Sequence, residues 1–133
     1  LTAIVLDASA GVELALQTPI GRQIRTKLPA GAITWVPEHY YPEAVAVLRR
    51  LELNRRYDPS RIQLALDRLL AAPITRVSVK PLIPKAWRLR HNLTLGDALY
   101  VVVAQQLDAP LVTSDLKLAS APDLGVETIT PGP

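Results

Sequence analysis

The chain has no cysteine and no phenylalanine, only two histidines, and six scattered glycines. The missing cysteines exclude disulfides, thiolate nucleophiles and sulfur-ligated metals, and they fit a reducing compartment such as the cytoplasm. His39 and His91 are isolated, which disfavours an imidazole-based zinc site and suits surface or supporting roles better than catalysis. Dispersed glycines cannot form a phosphate-cradling loop. No uncharged run approaches the roughly 20 residues a membrane helix needs. Nor does the start show a basic segment, an apolar stretch and a small-residue cleavage site, so no signal peptide is expected. Charge of one sign is also scarce: 15 Lys and Arg stand against 12 Asp and Glu, for a net of +3. That excess does not by itself indicate nucleic acid. It gains meaning if several acids are hidden under a cation, leaving a more basic surface for a partner.

What the chain does have is Ala, Val, Leu and Ile, which dominate a 49% hydrophobic content over 133 residues. Such a chain buries a sizeable core and does not read as disordered. One domain is expected over residues 1–130, with a frayed tail at 131–133. Residues 3–7 form a continuous apolar run ending in Asp7, the signature of a strand covered on both faces. Ser9 is placed to cap a helix through Gly11–Gln17, and Pro19 to start another over Ile20–Leu28. Ile33–Val36 reads as a strand closed by Pro37. Residues 39–54 carry Tyr41, Ala44, Leu48 and Leu51 on one helical stripe, with Glu43 at its edge. A helix over Arg61–Ala71 completes a hairpin with it. Further along come a strand at Ile74–Val79 and a short helix at Pro84–Arg90. A helix opened by Asp97 runs to Asp108, apolar on every side from Ala98 to Ala104 and therefore central. The chain closes with a strand at Pro110–Thr113, a helical turn at Leu116–Ala119 and a strand at Val126–Ile129. Strands alternating with helices predict an α/β fold, three layers deep, with a central, mainly parallel sheet. Ligands of such sheets bind beyond the carboxyl ends of the strands.

Asp7 and Asp115 occupy that edge, and Asp97, at a helix start, can share it with Glu43. Each has a simpler reading. Thr94 and Asp97 have capping-box spacing, Asp115 can cap the turn after it, and Glu43 can pair with His39 or Arg50. Taken together they imply more. Two carboxylates about 4 Å apart repel by about 4 kcal/mol at an effective dielectric of 20. Several in one pocket must take up protons or a divalent cation. An all-oxygen donor set favours Mg²⁺ or Mn²⁺, and such an ion activates water against phosphodiesters. Ser9 is either a helix cap or a hydrogen-bond partner for a metal-held water or a phosphate. Thr113 and Ser114 lack the partners of a serine-hydrolase triad.

Four segments carry a resemblance: Ile4-Val-Leu-Asp7-Ala-Ser9, Glu43-Ala-Val-Ala-Val-Leu-Arg-Arg50, Asn92-Leu-Thr-Leu-Gly-Asp97-Ala-Leu-Tyr100 and Pro110-Leu-Val-Thr113-Ser-Asp115-Leu-Lys-Leu-Ala119. In this order the sequence resembles the PIN-domain ribonucleases, specifically the VapC-type toxins. The resemblance implies Asp7, Glu43, Asp97 and Asp115 as catalytic acids holding Mg²⁺ or Mn²⁺. It also implies Thr113 as a hydroxyl supporting the last acid, an RNA substrate (tRNA, rRNA or mRNA), a cognate antitoxin and a homodimer. Gly96 and Ala46 depart from the commonest pattern, which frequently has an aromatic and an Asn there. Arg49, Arg50, Arg55, Arg56, Arg61 and Lys117 are the candidate RNA contacts, with Arg90 also near an acid in sequence. An antitoxin is expected to reach the acids with an Arg or another cation. The apolar faces bearing Tyr40, Tyr41, Leu48, Leu51, Leu66 and Leu70 suit either a dimer surface or the core. Two other readings stand beside this one: a non-catalytic RNA- or protein-binding module on the same fold, and a phosphoacceptor domain modified at Asp7 or Asp115. The second lacks a Lys near a strand end.

Overall fold

The structure is a computed structural model that describes residues 2–132. Leu1, at the head of the first apolar run, and Pro133, at the end of the tail, lie outside the described residues. In chain order the elements are β1 (Ala3–Leu6), α1 (Ala8–Leu16), α2 (Pro19–Lys27), β2 (Ile33–Pro37), α3 (Tyr40–Leu53), α4 (Pro59–Ala71) and β3 (Ile74–Val77). A 3₁₀ turn (Lys80–Leu82) leads into α5 (Ile83–Arg88), α6 (Leu95–Leu107), β4 (Leu111–Val112), α7 (Leu116–Ala119) and β5 (Thr128–Ile129). The strands lie in the order β3-β2-β1-β4-β5, and every pairing is parallel.

Strand β1 is central, which explains why Ile4, Val5 and Leu6 are all buried regardless of which face they point to. Helix α6 is buried from Ala98 through Ala104 because it packs on β1, β2 and β4 and is covered by α5. Each large aliphatic side chain in that run contributes about 1.5–3 kcal/mol by leaving water. Helix α1 anchors the other layer, against α2, α3 and α4. Its approach to α3 depends on Gly11, because the Tyr40 ring fills the space a side chain there would need. From β1 the chain steps to β2 and β3 on one side, then returns to place β4 on the other. This makes the β1–β4 junction the topological switch point, where open α/β sheets bind ligands.

Several boundaries differ from expectation for identifiable reasons. The first helix is capped by Asp7, not Ser9: Asp7 has an extended backbone and its Oδ1 accepts the Ala10 N–H at 2.9 Å. Ser9 falls inside the first turn. Helix α6 opens at Leu95, two residues before Asp97, because Thr94 Oγ1 accepts the Asp97 N–H at 3.2 Å. Strand β3 stops at Val77, and the helix expected from Pro84 begins earlier, with Pro81 and Pro84 each seated in a first turn. Of the tail expected to fray, the part up to Gly132 lies along α2: Gly132 N–H donates to Gln23 Oε1 (3.1 Å) and Lys27 Nζ to Thr130 O (2.7 Å).

Two arginines of α4 hold the far end of α1. Arg61 Nη2 donates to Leu16 O at 2.9 Å and Arg68 Nη1 to Ala15 O at 3.0 Å. They satisfy carbonyls that a helix C-terminus leaves unpaired. Replacing either by alanine is expected to cost about 1–2 kcal/mol, read as a lowered thermal midpoint.

Candidate active site

The switch point is built by four helix starts. Asp7 follows β1 and caps α1, while Asp115 follows β4 and caps α7. The Asp7 N–H donates to Val112 O at 3.1 Å, so the two strand ends are tied directly together. Asp115 Oδ1 accepts the N–H groups of Lys117 (3.0 Å) and Leu118 (3.2 Å). Both caps use Oδ1, so Oδ2 of each takes no part in capping. Hydroxyls stitch the two ends together. Ser9 Oγ donates to Asp7 Oδ1 (2.7 Å), accepts the Ser114 N–H (3.1 Å) and lies 3.4 Å from Thr113 Oγ1. Thr113 is fully buried, and its Oγ1 accepts the Asp115 N–H at 3.0 Å. Ser9 thus contacts the Asp7 carboxylate, and Thr113 the backbone of Asp115.

Glu43 and Asp97 meet where α3 and α6 begin. The Tyr100 hydroxyl donates to Glu43 Oε1 at 2.7 Å. His39 Nε2 lies 3.1 Å from Gly96 O and 3.6 Å from Glu43 Oε1, and its ring stands 4.6 Å from that of Tyr100. Facing a carbonyl and a carboxylate, Nε2 is assigned as the protonated nitrogen on hydrogen-bonding grounds. His39 Nδ1 is buried without a hydrogen-bond partner among the described residues.

Electrostatics link the acids. Burial raises the Asp97 carboxyl above the usual carboxylate range. The charges of Asp115 and Glu43 raise it further, against the Thr94 hydroxyl and His39. Asp7, 3% exposed, is raised chiefly by burial, with Asp97 adding repulsion and the Ala10 N–H and the Thr113 and Ser9 hydroxyls opposing it. Asp97 is therefore the hub: Asp115 and Glu43 raise it, and it in turn raises Asp7. As placed, no three Asp, Glu or His side chains among the described residues stand close enough to share one ion. The donor set still suits a hard cation. It is all oxygen, and positive charge would relieve the repulsion that raises Asp97.

A pH dependence follows. Carboxyls raised in the fold hold protons more tightly than in the unfolded chain. Their contribution to stability is full below the unfolded value near 3.8 and is lost as pH rises through the raised folded values. Metal-free protein is expected to lose this contribution as pH rises from about 4 towards neutrality, with Asp97→Asn shrinking the loss. Thermal scans in EDTA check this.

A family model described as the PIN domain matches residues 4–124. The chain belongs to the PIN-domain family. Ribonuclease VapC12 of Mycobacterium tuberculosis is 34% identical over 118 residues, covering 89% of this chain and 91% of that protein. Ribonuclease VapC1 of the same species is 36% identical over 124 residues, covering 92% and 93%. In three dimensions the PIN domain resembles a chain from the crystal structure of VapBC2 from Rickettsia felis bound to a DNA fragment from their promoter. The TM-score is 0.67 and the identity 14%, covering 98% of this chain and all of that one. That likeness bears on the fold.

The basic residues of this PIN domain divide by location. Arg49 and Arg50 are exposed on α3, and Arg55 and Arg56 lie past its end. At 1.5 Å per residue, the helix end at Leu53 is about 15 Å along its axis from Glu43, and the last two lie beyond that end. Arg61 is engaged with α1, and its guanidinium lies 4.7 Å over the Tyr57 ring. Lys117 is exposed and next to the Asp115 cap. Arg90 lies 4.5 Å over the Trp87 ring, which is 57% exposed. A hollow of about 340 Å³ between α1, α2, α4 and β2 has Arg25 and Arg68 as its charged lining and contains none of the four acids. Of the two uses open to the apolar helix faces, dimer surface or core, most of these residues serve the core. Tyr40 and Leu48 are buried, Tyr41, Leu51 and Leu66 pack against the core, and Leu70 stays exposed. Among the described residues no helix is long and apolar enough to cross a membrane.

Sequence reasoning missed the Tyr100 hydroxyl and Arg68. Tyr100 carried a signal: it is the one hydroxyl in the apolar run Ala98–Ala104, and a buried phenol needs a partner.

Proposed function

We propose that this PIN domain is the toxin of a VapC-type toxin–antitoxin pair, a cytoplasmic metal-dependent endoribonuclease. Asp7, Glu43, Asp97 and Asp115 hold Mg²⁺ or Mn²⁺. The observation that carries the reading is the placement of Asp7 and Asp115 as caps at the two strand ends of the sheet's switch point, with Asp97 coupled by charge to Asp7, Asp115 and Glu43. The two VapC ribonucleases, each matched over about nine-tenths of both chains, support the activity class.

A bound Mg²⁺ or Mn²⁺ supplies an activated water and offsets charge on the scissile phosphate. The chain's own part is to fix the acids. The caps of α1 and α7 set the orientation of Asp7 and Asp115. Ser9 holds the Asp7 carboxylate, and Thr113 holds the backbone of Asp115. Buried surroundings keep the local dielectric low, which strengthens attraction for a cation. An antitoxin closes the site by presenting a cation, for which an arginine is suited.

The test is cleavage of RNA with added Mg²⁺ or Mn²⁺, with EDTA, and with EDTA followed by excess metal. Cleavage should vanish with EDTA and return with metal, leaving 5′-phosphate ends. EDTA-resistant cleavage contradicts the reading. Binding without turnover at every metal concentration would favour the non-catalytic alternative.

Charge reversal at Arg55 and Arg56 is expected to weaken RNA binding and to flatten its salt dependence, by about one unit of log–log slope for each phosphate no longer neutralised. Given their distance from Glu43, they hold RNA remote from the cut. Binding that is unchanged across a salt series assigns both to an ordinary solvated face.

A further inference from the structure

We infer that Gly96 is a positioning residue: its missing side chain opens the place where Tyr100 and His39 hold the Glu43 carboxylate beside Asp97. This rests on the proposed metal-holding acid cluster and extends it to a residue with no functional group of its own. A Cβ on Gly96 would stand 2.8 Å from Glu43 Oε2, closer than real Cβ contacts come, and 3.8 Å from both Glu43 Cδ and His39 Nε2. Gly96 is not among the residues of positive φ, so its backbone does not require glycine. It lies in the first turn of α6, where alanine is the better helix former. Glycine therefore weakens the helix locally, and what it supplies is room.

That room is filled by one group. Glu43 Oε1 accepts the hydroxyl of Tyr100, a residue 1% exposed and fixed in the core. His39 Nε2 contacts Gly96's own carbonyl at 3.1 Å, so the ring bridges α3 to the same turn. Adding a methyl group at 96 would push Oε2 off this turn and pull Oε1 from Tyr100, because the Glu43 tip is the movable partner. The carboxylate would leave the vicinity of Asp97, whose charge it now influences.

The test uses metal-free wild type, Gly96→Ala, Glu43→Ala and the double variant. Each is melted without metal and titrated calorimetrically with Mn²⁺. Gly96→Ala should melt at or above the wild-type temperature yet bind Mn²⁺ about tenfold more weakly, an effect of the size typical for groups that orient metal ligands. In the Glu43→Ala background, Gly96→Ala should change Mn²⁺ affinity no further. Tyr100→Phe, which removes the hydroxyl without adding bulk, should weaken Mn²⁺ binding in the same direction. The inference is overturned if Gly96→Ala binds like wild type, or if its effect persists without Glu43. Lower melting with proportionally weaker binding assigns Gly96 to packing and also overturns it. Wild type that binds no Mn²⁺ defeats the cluster itself, which separates that failure from the failure of Gly96 alone.

Discussion

Asp97→Asn should lose RNA cleavage by about a thousandfold while the metal-free protein melts roughly 2–5 °C higher. The two effects have one origin. Asp97 is the acid coupled to all the others: burial, Asp115 and Glu43 disfavour its ionised form, and its own charge raises Asp7. Asparagine keeps the shape and removes the charge. It also keeps the backbone N–H that donates to Thr94 Oγ1, so the start of α6 survives. A residue placed for stability alone would destabilise on neutralisation. Stability gained where function is lost is the mark of a strained site. Cleavage assays beside thermal melts in EDTA measure both halves. Activity near wild type in Asp97→Asn would remove Asp97 from the chemistry.

Asp7 should separate its two roles by substitution type. Asp7→Ala is expected to lower stability by about 2 kcal/mol, because it uncaps α1 and leaves Ala10 N–H and Ser9 Oγ without their buried acceptor. For a chain of this size that is a fall in melting temperature of about 6–10 °C. Asp7→Asn can still cap, since its amide oxygen accepts as Oδ1 does. It should melt close to wild type and be as inactive as Asp97→Asn. If Asp7→Asn melted as low as Asp7→Ala, the negative charge at 7 would be stabilising, contrary to the direction set by its burial.

Much of this architecture could be read from the sequence because burial leaves a local record. A run such as Ile4–Leu6 is apolar throughout because β1 has neighbours on both sides, and Ala98–Ala104 because α6 is covered all round. From those two runs the parallel sheet and its central helix follow. Boundaries were less legible where two capping residues compete within a few positions. Asp7 and Ser9 both cap helices well, and only the strand end, by presenting Asp7 in an extended backbone, decides between them. The acids were legible as a set but not as a geometry. Glu43 reaches Asp97's turn through Tyr100, 57 residues away in sequence. No local pattern encodes a contact of that separation. The same holds for Arg68, whose spacing reads as a solvated helix face although its guanidinium is committed to Ala15 O. Gly96 was visible only as a departure from a family pattern, and its meaning lies in the oxygen that occupies its empty side-chain position.

The most direct test is a crystal soaked in Mn²⁺ and measured at the manganese absorption edge. An anomalous peak should lie among Asp7, Glu43, Asp97 and Asp115, about 2.1 Å from carboxylate oxygens, and it should be absent from Asp97→Asn crystals. Protein that cleaves RNA with Mn²⁺ but shows no peak among these residues, or the same peak in Asp97→Asn, would contradict the account.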